Sequence, residues 1–410
     1  MIPRRLAAAL VVISLGAAPL EARTFESLFV GPARPLGQAL TATVARSLPV
    51  ISASPGLTFT FDPSSGAFER STELLGQLYL ERAQPIGQGK WNFSASYQRV
   101  DVDAVQGEDL DDLHDSRLPI ILPGQNPSRG GRLFRFDRYA VGLTVDEMTF
   151  QGTYGITDNL EVNLTLPVLF SRLSVGSMGS EFKRNPSDNS LVPIPPEQRG
   201  TRFFQDISHA NSVGDMLLRS KYRFLKTAWG DAAFGLVVRM PTGSEENFQG
   251  TGSWEFSPLL YLSTRRIPIA GPVAFQGFVN GGFDLVVDNV DVSEGRIGAG
   301  FDLAFWDRAT FSLAFLGREP FHGFAPAGFF DQPRYDPRTG CPVSSPSCGH
   351  PTAPLFGLTS VRPSYYALSI GGRVNLWNDT VFGFGNVLVP LSEDGIHTAP
   401  IPLLGLEATF

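Results

Sequence analysis

The sequence has 410 residues, and its charged fraction of 18% lies below the roughly 25% that is typical of soluble domains. A net charge of −7 argues against a nucleic-acid partner, and two cysteines exclude a disulfide-rich scaffold. The 43 glycines and 32 phenylalanines indicate an all-β protein with many turns.

Residues 1–22 have the pattern of a cleaved signal peptide for secretion through the inner membrane. Arg4 and Arg5 precede an apolar run at 6–18, and Ala22 is the favoured cleavage site, with Ala18 as the alternative. The run is too short to span a bilayer, and no later stretch approaches 18 consecutive apolar residues. The sequence therefore excludes a helical membrane protein.

Residues 23–52 form a second unit, ahead of the predicted strands at 53–410. Apolar residues recur there every four positions, which predicts a short amphipathic helix, at Leu36, Leu40, Val44 and Leu48. Pro35 suits the first turn of this helix, and Pro49 ends it. Two placements remain open: a helix packed on the periplasmic side, or a plug in the mouth of a barrel.

The remaining sequence alternates apolar and polar residues. In 215–225, Met216, Leu218, Tyr222 and Phe224 share one face, and the opposite face is charged. The same alternation occurs in 161–168, 234–240, 254–263, 296–305 and 366–376. Strands of a transmembrane barrel alternate in this way, with apolar residues toward lipid. Tryptophans lie near predicted strand ends, where interfacial aromatic girdles belong, at Trp91, Trp254 and Trp377.

Connector lengths also alternate, as they do between the periplasmic turns and the outer loops of outer-membrane barrels. Short turns are predicted near 85–90, 157–159, 226–231, 265–272, 306–308 and 377–380. Long polar loops are predicted at 102–137, 176–212, 242–252, 286–293, 319–361 and 391–397.

Two of these long loops have distinctive compositions. In loop 319–361, Cys341 and Cys348 are predicted to form a local disulfide. Four phenylalanines of this loop either collect apolar solutes or pack as a lid: Phe324, Phe329, Phe330 and Phe356. Residues 101–115 hold seven acidic residues without the glycine and glutamate of a calcium loop, which favours a solvated outer loop.

The chain ends with a terminal aromatic residue. Phe410 shares one apolar face with Pro402, Leu404, Leu406 and Ala408, as in the final strand that the barrel assembly machinery accepts, so Phe410 is the expected assembly signal. Counting back gives about fourteen strands, beginning near 57–61, and an even number places both termini in the periplasm. Twelve is the alternative, because 57–61 and 74–81 are the least regular segments.

Three stretches carry a family resemblance: VGDMLLRSKYRFLK (213–226), VVRMPTGSEE (237–246) and GTGSWEFSP (250–258). They resemble the outer-membrane barrels of the MetA-pathway-of-phenol-degradation, or putative transporter, family. The matching residues are Gly214, Asp215, Lys221, Tyr222, Arg223, Pro241, Thr242, Gly243, Gly250, Thr251 and Gly252, whereas Met240 stands where leucine is commoner. The resemblance is close over 213–285 and implies uptake of hydrophobic or aromatic solutes.

Charged residues on the inward face of the strands are the candidate functional residues. A charge that faces lipid near the midplane costs about 2–4 kcal/mol, so these side chains are expected to line the lumen. They are Asp215, Arg219, Lys221, Arg223, Arg239, Glu255, Arg296, Asp302 and Arg373. Two roles remain open: they select ions or orient anionic solutes, or they cross-pair to hold the wall.

The sequence does not indicate an enzyme. All five histidines fall in predicted loops (His114, His209, His322, His350 and His397), and no nucleophile-elbow, Walker or dinucleotide motif occurs. No catalytic residue, cofactor or metal site is expected.

The sequence predicts a monomeric outer-membrane up-and-down β-barrel with a short N-terminal helical segment. Its expected partners are outer-membrane lipid, the barrel assembly machinery and a small solute. The leading function is passive uptake of small solutes, and the alternative is a non-conducting structural or surface-interaction barrel.

Overall fold

The computed structural model describes residues 23–54, 59–62, 67–70, 77–127, 130–198, 201–306, 308–322, 328–338, 351–362 and 364–410. The predicted signal peptide at 1–22 lies outside the described residues. Cys341, Cys348, Phe324 and His350 also lie outside them, so the disulfide stays a prediction.

Twelve antiparallel strands close into a barrel in which each strand pairs with the next along the chain. The last strand pairs with the first, with Leu403 opposite Gln98, and this pairing closes the ring. The strands are β1 (Trp91–Val105), β2 (Arg132–Gly155), β3 (Leu160–Arg184), β4 (Met216–Lys226), β5 (Gly230–Met240), β6 (Glu255–Thr264), β7 (Val273–Val286), β8 (Glu294–Phe305), β9 (Ala309–Pro320), β10 (Tyr365–Trp377), β11 (Val381–Pro390) and β12 (Ile401–Thr409).

The predicted count of fourteen strands is wrong, and the alternative of twelve is confirmed. The two least regular segments account for the difference. Strand Phe59–Asp62 pairs with Ala67–Arg70 in a separate two-stranded sheet. The described part of the other segment, 77–81, bonds to residues before the barrel and not to a strand of the ring: the Leu78 carbonyl accepts a hydrogen bond from the Ser52 amide. The connector at 85–90 therefore leads into β1 and does not join two strands of the ring.

Long strands at one end of the barrel correct two of the predicted loops. β2 and β3 have 24 and 25 residues, more than the 9–11 residues that a membrane-spanning strand needs. The upper half of β3 pairs with an additional strand, Thr201–Val213. The predicted loops 102–137 and 176–212 therefore include strand residues, at 132–137, at 176–184 and in this additional strand. The sequence pattern does not show them because alternation beyond the membrane no longer separates apolar from polar faces. His209 consequently lies on a strand.

Smaller elements complete the chain. Short strands bonded to the ring are Glu108–Asp109, Ile120–Ile121, Leu191–Pro193, Ile267–Ala270 and Ile396–Thr398, and Asp331–Pro333 pairs with Thr352–Pro354 in the last long loop. The α-helix is α1 (Arg34–Ser47), and the 3-10 helices are Glu26–Leu28, Gly31–Ala33, Leu110–Asp112, Pro196–Gln198, Glu245–Asn247, Val290–Val292 and Leu355–Gly357. Within the described ranges, no helix is long and apolar enough to cross a membrane.

The outer surface carries an apolar belt formed by the predicted lipid-facing residues. Many are 39% or more exposed, among them Leu218, Tyr222, Phe234, Leu260, Ile297, Phe315, Ile370, Leu404 and Leu406. Four exposed tryptophans mark the end of the belt with the short turns: Trp91, Trp229, Trp306 and Trp377. Trp254 marks the opposite edge, and the 10 residues of β6 separate it from the turn at the other end. Such a belt between aromatic girdles is the surface that a bilayer requires.

The belt predicts how the barrel responds to a charge. Leu260 lies in the middle of β6 and is 44% exposed, so Leu260→Arg places a guanidinium in hydrocarbon. We expect the free energy of unfolding to fall by about 2–4 kcal/mol in lipid vesicles. Val290→Arg is the matched control, because Val290 is exposed in the outer loop between β7 and β8. If both substitutions lower the free energy of unfolding equally, Leu260 does not face lipid and the belt is assigned to the wrong residues.

Candidate functional site: the filled lumen

The lumen contains part of the chain itself. Residues 23–54 and 77–90, which we call the inner segment, bond to wall residues on six different strands. Because these strands lie on opposite sides of the ring, the inner segment is enclosed by the barrel. The contacts are Gln98 (β1) to the Pro49 carbonyl, 3.0 Å; Gln151 (β2) and Arg219 (β4) to the Ile51 carbonyl, 3.3 and 2.8 Å; Glu255 (β6) to Arg46, 2.5 Å; Arg318 (β9) to the Arg46 carbonyl, 2.6 Å; and Arg373 (β10) to the Ser54 carbonyl, 3.3 Å.

The inner segment passes through the barrel from the long-loop end to the short-turn end. At its start, the Arg23 guanidinium donates to Asp206 at 3.0 Å, on the strand above the membrane belt. At its end, the Gly89 amide donates to the Gly155 carbonyl at 2.8 Å, beside the turn between β2 and β3. The chain then enters the wall at Trp91. Residue 23 therefore lies at the outer mouth, although β1 begins at the opposite end.

The predicted amphipathic helix is confirmed as α1, and it occupies the outer half of the lumen. Its apolar residues Leu36, Leu40 and Val44 are buried in one cluster with inward residues of β1, β2 and β3, including Val100, Val141, Leu143, Val145 and Leu173. Thr41 and Thr43 donate to the Gly37 and Ala39 carbonyls, one helical turn earlier, so the helix presents few unsatisfied polar groups.

Aromatic side chains from the outer part of β2 and from the last long loop cover the helix. Phe136, Tyr139 and Phe356 contact one another with ring centroids 5.0–5.3 Å apart. Phe330 and Phe356 are fully buried, so these two loop phenylalanines pack as a lid.

A buried ion pair fastens this lid: Arg334 donates to both carboxylate oxygens of Asp115 at 2.7 and 2.8 Å. Both side chains are 0% exposed. The prediction of a solvated loop at 101–115 is therefore wrong for Asp115, because a partner distant in sequence buries it.

The inner half of the lumen is polar. The nine predicted lumen residues point to the interior at different depths: Asp215, Arg239, Glu255 and Arg296 lie near the long-loop ends of their strands, and the other five lie further in. Ion pairs join Lys221 to Glu161 at 2.6 Å, Arg239 to Glu255 at 2.9 Å, Arg296 to Asp284 at 3.3 Å and Arg373 to Glu407 at 3.1 Å. Three other members bond to neutral groups. Asp302 accepts from Ser312 at 2.7 Å, Arg223 donates to Asn159 at 2.8 Å, and Asp215 accepts from the Gly243 amide at 3.0 Å.

Glu81 of the inner segment joins two of the wall cations. Its carboxylate lies 3.3 Å from Lys221 and 3.6 Å from Arg219, and it also accepts from Ser54 and the Ala53 amide. Burial by itself raises the pKa of Glu81, but Lys221 and Arg219 outweigh it and hold the pKa at about 2, below its usual value of 4.5. Glu81 therefore stays charged at neutral pH and ties the inner segment to β4.

Sequence reasoning identified Glu255, the partner of Arg239, but missed the other ion-pair partners of the predicted residues. Glu161 and Glu407 alternate with apolar residues along their strands, so parity indicates their inward direction. Glu81 belongs to the segment 74–81, which is predicted as a strand but whose described residues, 77–81, do not form one. Asp284 and Arg318 lie near strand ends, where parity is hard to assign.

Little open space remains between the wall and the described residues of the inner segment. Three cavities within the ring have volumes of about 100, 40 and 20 Å³. All three are lined partly by the inner segment and partly by the wall. A solute that enters the lumen therefore contacts both the inner segment and the wall.

The closed twelve-stranded ring, the apolar belt and the polar inner half of the lumen define a membrane-spanning β-barrel of the outer-membrane type. No family model matches the sequence, and no curated protein matches it.

Solved structures with a similar fold include the COG4313 outer membrane channel from Pseudomonas putida F1, at 11% identity over 80% of this chain and 98% of that chain, with a TM-score of 0.41. A Pseudomonas aeruginosa FadL homologue has 11% identity over 79% of this chain and 90% of its own, with a TM-score of 0.32. The CymD monoaromatic hydrocarbon channel has 8% identity over 79% and 89%, with a TM-score of 0.30. At these TM-scores, the similarities assign no function to this chain.

The acid response of Glu81 is the first prediction from this site. Because its pKa is lowered on folding, its stabilisation is complete above about pH 4.5 and is lost as the pH falls through about 2. We expect the difference in thermal stability between the wild type and Glu81→Gln to shrink between pH 4.5 and 2. Glu197→Gln is the control on the exposed outer surface. A difference that does not change with pH would contradict the contacts of Glu81.

The direction of the inner segment gives a second prediction. Val30 is 59% exposed near the outer mouth, and Gln88 is exposed at the short-turn end. In a chain whose two native cysteines are replaced by serine, a membrane-impermeant thiol reagent added to intact cells is expected to label Val30→Cys. Gln88→Cys is expected to react only after the cells are opened. Labelling of Gln88→Cys alone in intact cells would reverse the direction of the segment.

Proposed function

We propose that the protein is an outer-membrane channel for the passive uptake of small solutes, with hydrophobic and aromatic compounds as the favoured class. The observation that carries this proposal is that the inner segment fills the lumen without belonging to the wall. Among the described residues, no part of it joins the twelve-stranded ring as a strand. Its anchors are mostly single side-chain bonds, which can be exchanged without opening the sheet.

The lining of the outer half supports the favoured solute class. The wall there presents Val100, Val141, Leu143, Val145 and Leu173 to the interior, whereas the interior of a water-filled porin is polar. An apolar solute that displaces α1 therefore contacts an apolar surface. The resemblance of residues 213–285 to the MetA-pathway-of-phenol-degradation family agrees with this class.

The second candidate is a non-conducting structural or surface-interaction barrel. The filled lumen and the paired charges favour it, in particular the buried pairs of Lys221 with Glu161 and of Arg373 with Glu407. In this case the inner segment stays in the lumen permanently, and the outer loops are the surface that interacts with a partner.

We also propose that Phe410 is the assembly signal and that the barrel functions as a monomer. Phe410 is 62% exposed on the lipid-facing side, and its backbone exchanges two hydrogen bonds with Trp91, at 2.8 and 3.0 Å. A terminal residue in this position is available to the assembly machinery until β12 joins β1.

Single-channel conductance in a planar bilayer tests the two candidates. We expect small, steady currents from the full-length protein and larger currents from a variant that lacks residues 23–52, because removal of α1 empties the outer half of the lumen. Heat-modifiable mobility in gels checks that the shortened barrel is folded. Silence in both folded forms, together with no uptake of a labelled aromatic solute, would leave the structural barrel.

A further inference from the structure

A cavity of about 100 Å³ lies between the inner segment and one side of the wall. Three arginines of the wall border it, Arg239, Arg296 and Arg318, together with the rings of Tyr79, Tyr261 and Tyr365. These residues are distant in sequence, and only closure of the barrel around the inner segment brings them together. Cationic and aromatic side chains therefore meet here beside open space.

A smaller cavity of about 20 Å³ lies above it, toward the outer loops. Thr43 and Arg46 of α1 line one side, and Glu294 and Arg318 line the other. Its rim includes His322, whose side chain is 72% exposed. Arg318 borders both cavities and therefore separates the outer opening from the larger space below.

Exchangeable contacts hold Arg318 in this position. Its guanidinium donates to the Arg46 and Ser47 carbonyls at 2.6 and 3.3 Å, at the C-terminal end of α1, and lies 3.6 Å from Glu294. It also stacks over the Tyr365 ring, 4.9 Å from the centroid. A guanidinium at a helix C-terminus interacts favourably with the last carbonyls, but a solute carboxylate is a stronger acceptor than a carbonyl.

The side chains that line the larger cavity determine which kind of solute it can bind. Three planar guanidinium groups match the two oxygens of a carboxylate, and the Tyr365 hydroxyl has no hydrogen-bond partner among the described residues. Each of the three arginines already has a carboxylate near it: Glu255 lies 2.9 Å from Arg239, Asp284 lies 3.3 Å from Arg296 and Glu294 lies 3.6 Å from Arg318. A solute carboxylate must therefore exchange with one of these partners, and Arg318 has the longest of the three ion pairs. A planar ring on the solute complements the tyrosine faces.

The size of the cavity limits the solute. Its volume of about 100 Å³ is below the roughly 150 Å³ of an apolar cavity that binds benzene. A single ring therefore fits only when a neighbouring side chain moves. Arg318 has the position and the exchangeable contacts to make this movement.

We propose that small aromatic carboxylates pass beside α1 along β7, β8 and β9, and that Arg318 both controls entry to the cavity and selects for the anion. This inference rests on the proposed channel function and names its solute class and route. Arg296 contributes to the cavity below the entry point and takes part in selection but not in gating.

The test measures the permeability of benzoate relative to sodium, from reversal potentials of the full-length protein in planar bilayers. We expect benzoate to be favoured in the wild type. Arg318→Gln is expected to lower the ratio by about fivefold or more and to raise the single-channel conductance in potassium chloride. Arg296→Gln is expected to lower the ratio without raising the conductance. Arg99→Gln is the control, because Arg99 lies on the exposed outer face, 3.1 Å from Asp101, and it is expected to change neither quantity.

Benzylammonium distinguishes selection by charge from selection by the ring, because it has the same ring and the opposite charge. Conducting channels in which Arg318→Gln and Arg296→Gln both leave the benzoate ratio unchanged would overturn the inference and leave the channel function standing. Preference for benzylammonium in the wild type would also overturn it. Absence of both current and uptake in every folded form would remove the channel function and the inference with it. If Arg318→Gln does not fold, Arg318→Lys replaces it, with loss of the benzoate preference expected because the fork geometry is lost.

Discussion

Closure of the backbone hydrogen-bond network is the constraint on which the rest of this structure depends. In the hydrocarbon region, every strand edge must find a partner, because an unpaired amide or carbonyl there has no water to bond. The pairing of β12 with β1 removes the last edge. Once the ring is closed, each strand has one face toward lipid and one toward the interior. Apolar residues must then occupy the first face, and charged residues can occupy the second.

The interior face creates a second requirement, because buried charges need partners. Some of these partners lie on the wall itself, as in the pair of Arg373 with Glu407. The inner segment supplies the rest: Glu81 lies against Lys221 and Arg219, and Arg46 against Glu255. Removal of one partner from such a buried pair leaves an uncompensated charge, which is strongly destabilising. The segment in the lumen therefore stabilises the wall that encloses it.

The course of the inner segment also constrains assembly. Residue 23 lies at the outer mouth and Trp91 at the opposite end, so the two described parts of the inner segment extend from one end of the lumen to the other. Threading a helix and its lid contacts through a finished ring is difficult. Enclosure of the segment while the wall forms around it requires no such step. The C-terminal end of β12 meets the N-terminal end of β1 at the short-turn end, and the backbones of Phe410 and Trp91 are bonded to each other.

The sequence by itself determined the class of the protein, the lipid-facing parity of the strands, the alternation of short and long connectors, the helix at 34–47 and the inward direction of the nine charged residues. These features follow from local periodicity, because a bilayer acts on every second residue of a strand in the same way.

Only the tertiary structure decided the number of strands, the path of the inner segment and the pairing of the charges. Residues 77–81 have the composition of a strand, but inside the filled lumen they bond to Ser52 and to side chains of the wall. The partner of Asp115 is Arg334, more than two hundred positions away, and the partners of Lys221 come from two different parts of the chain. Such contacts depend on which residues closure brings face to face, and periodicity along one strand carries no information about the residue across the lumen.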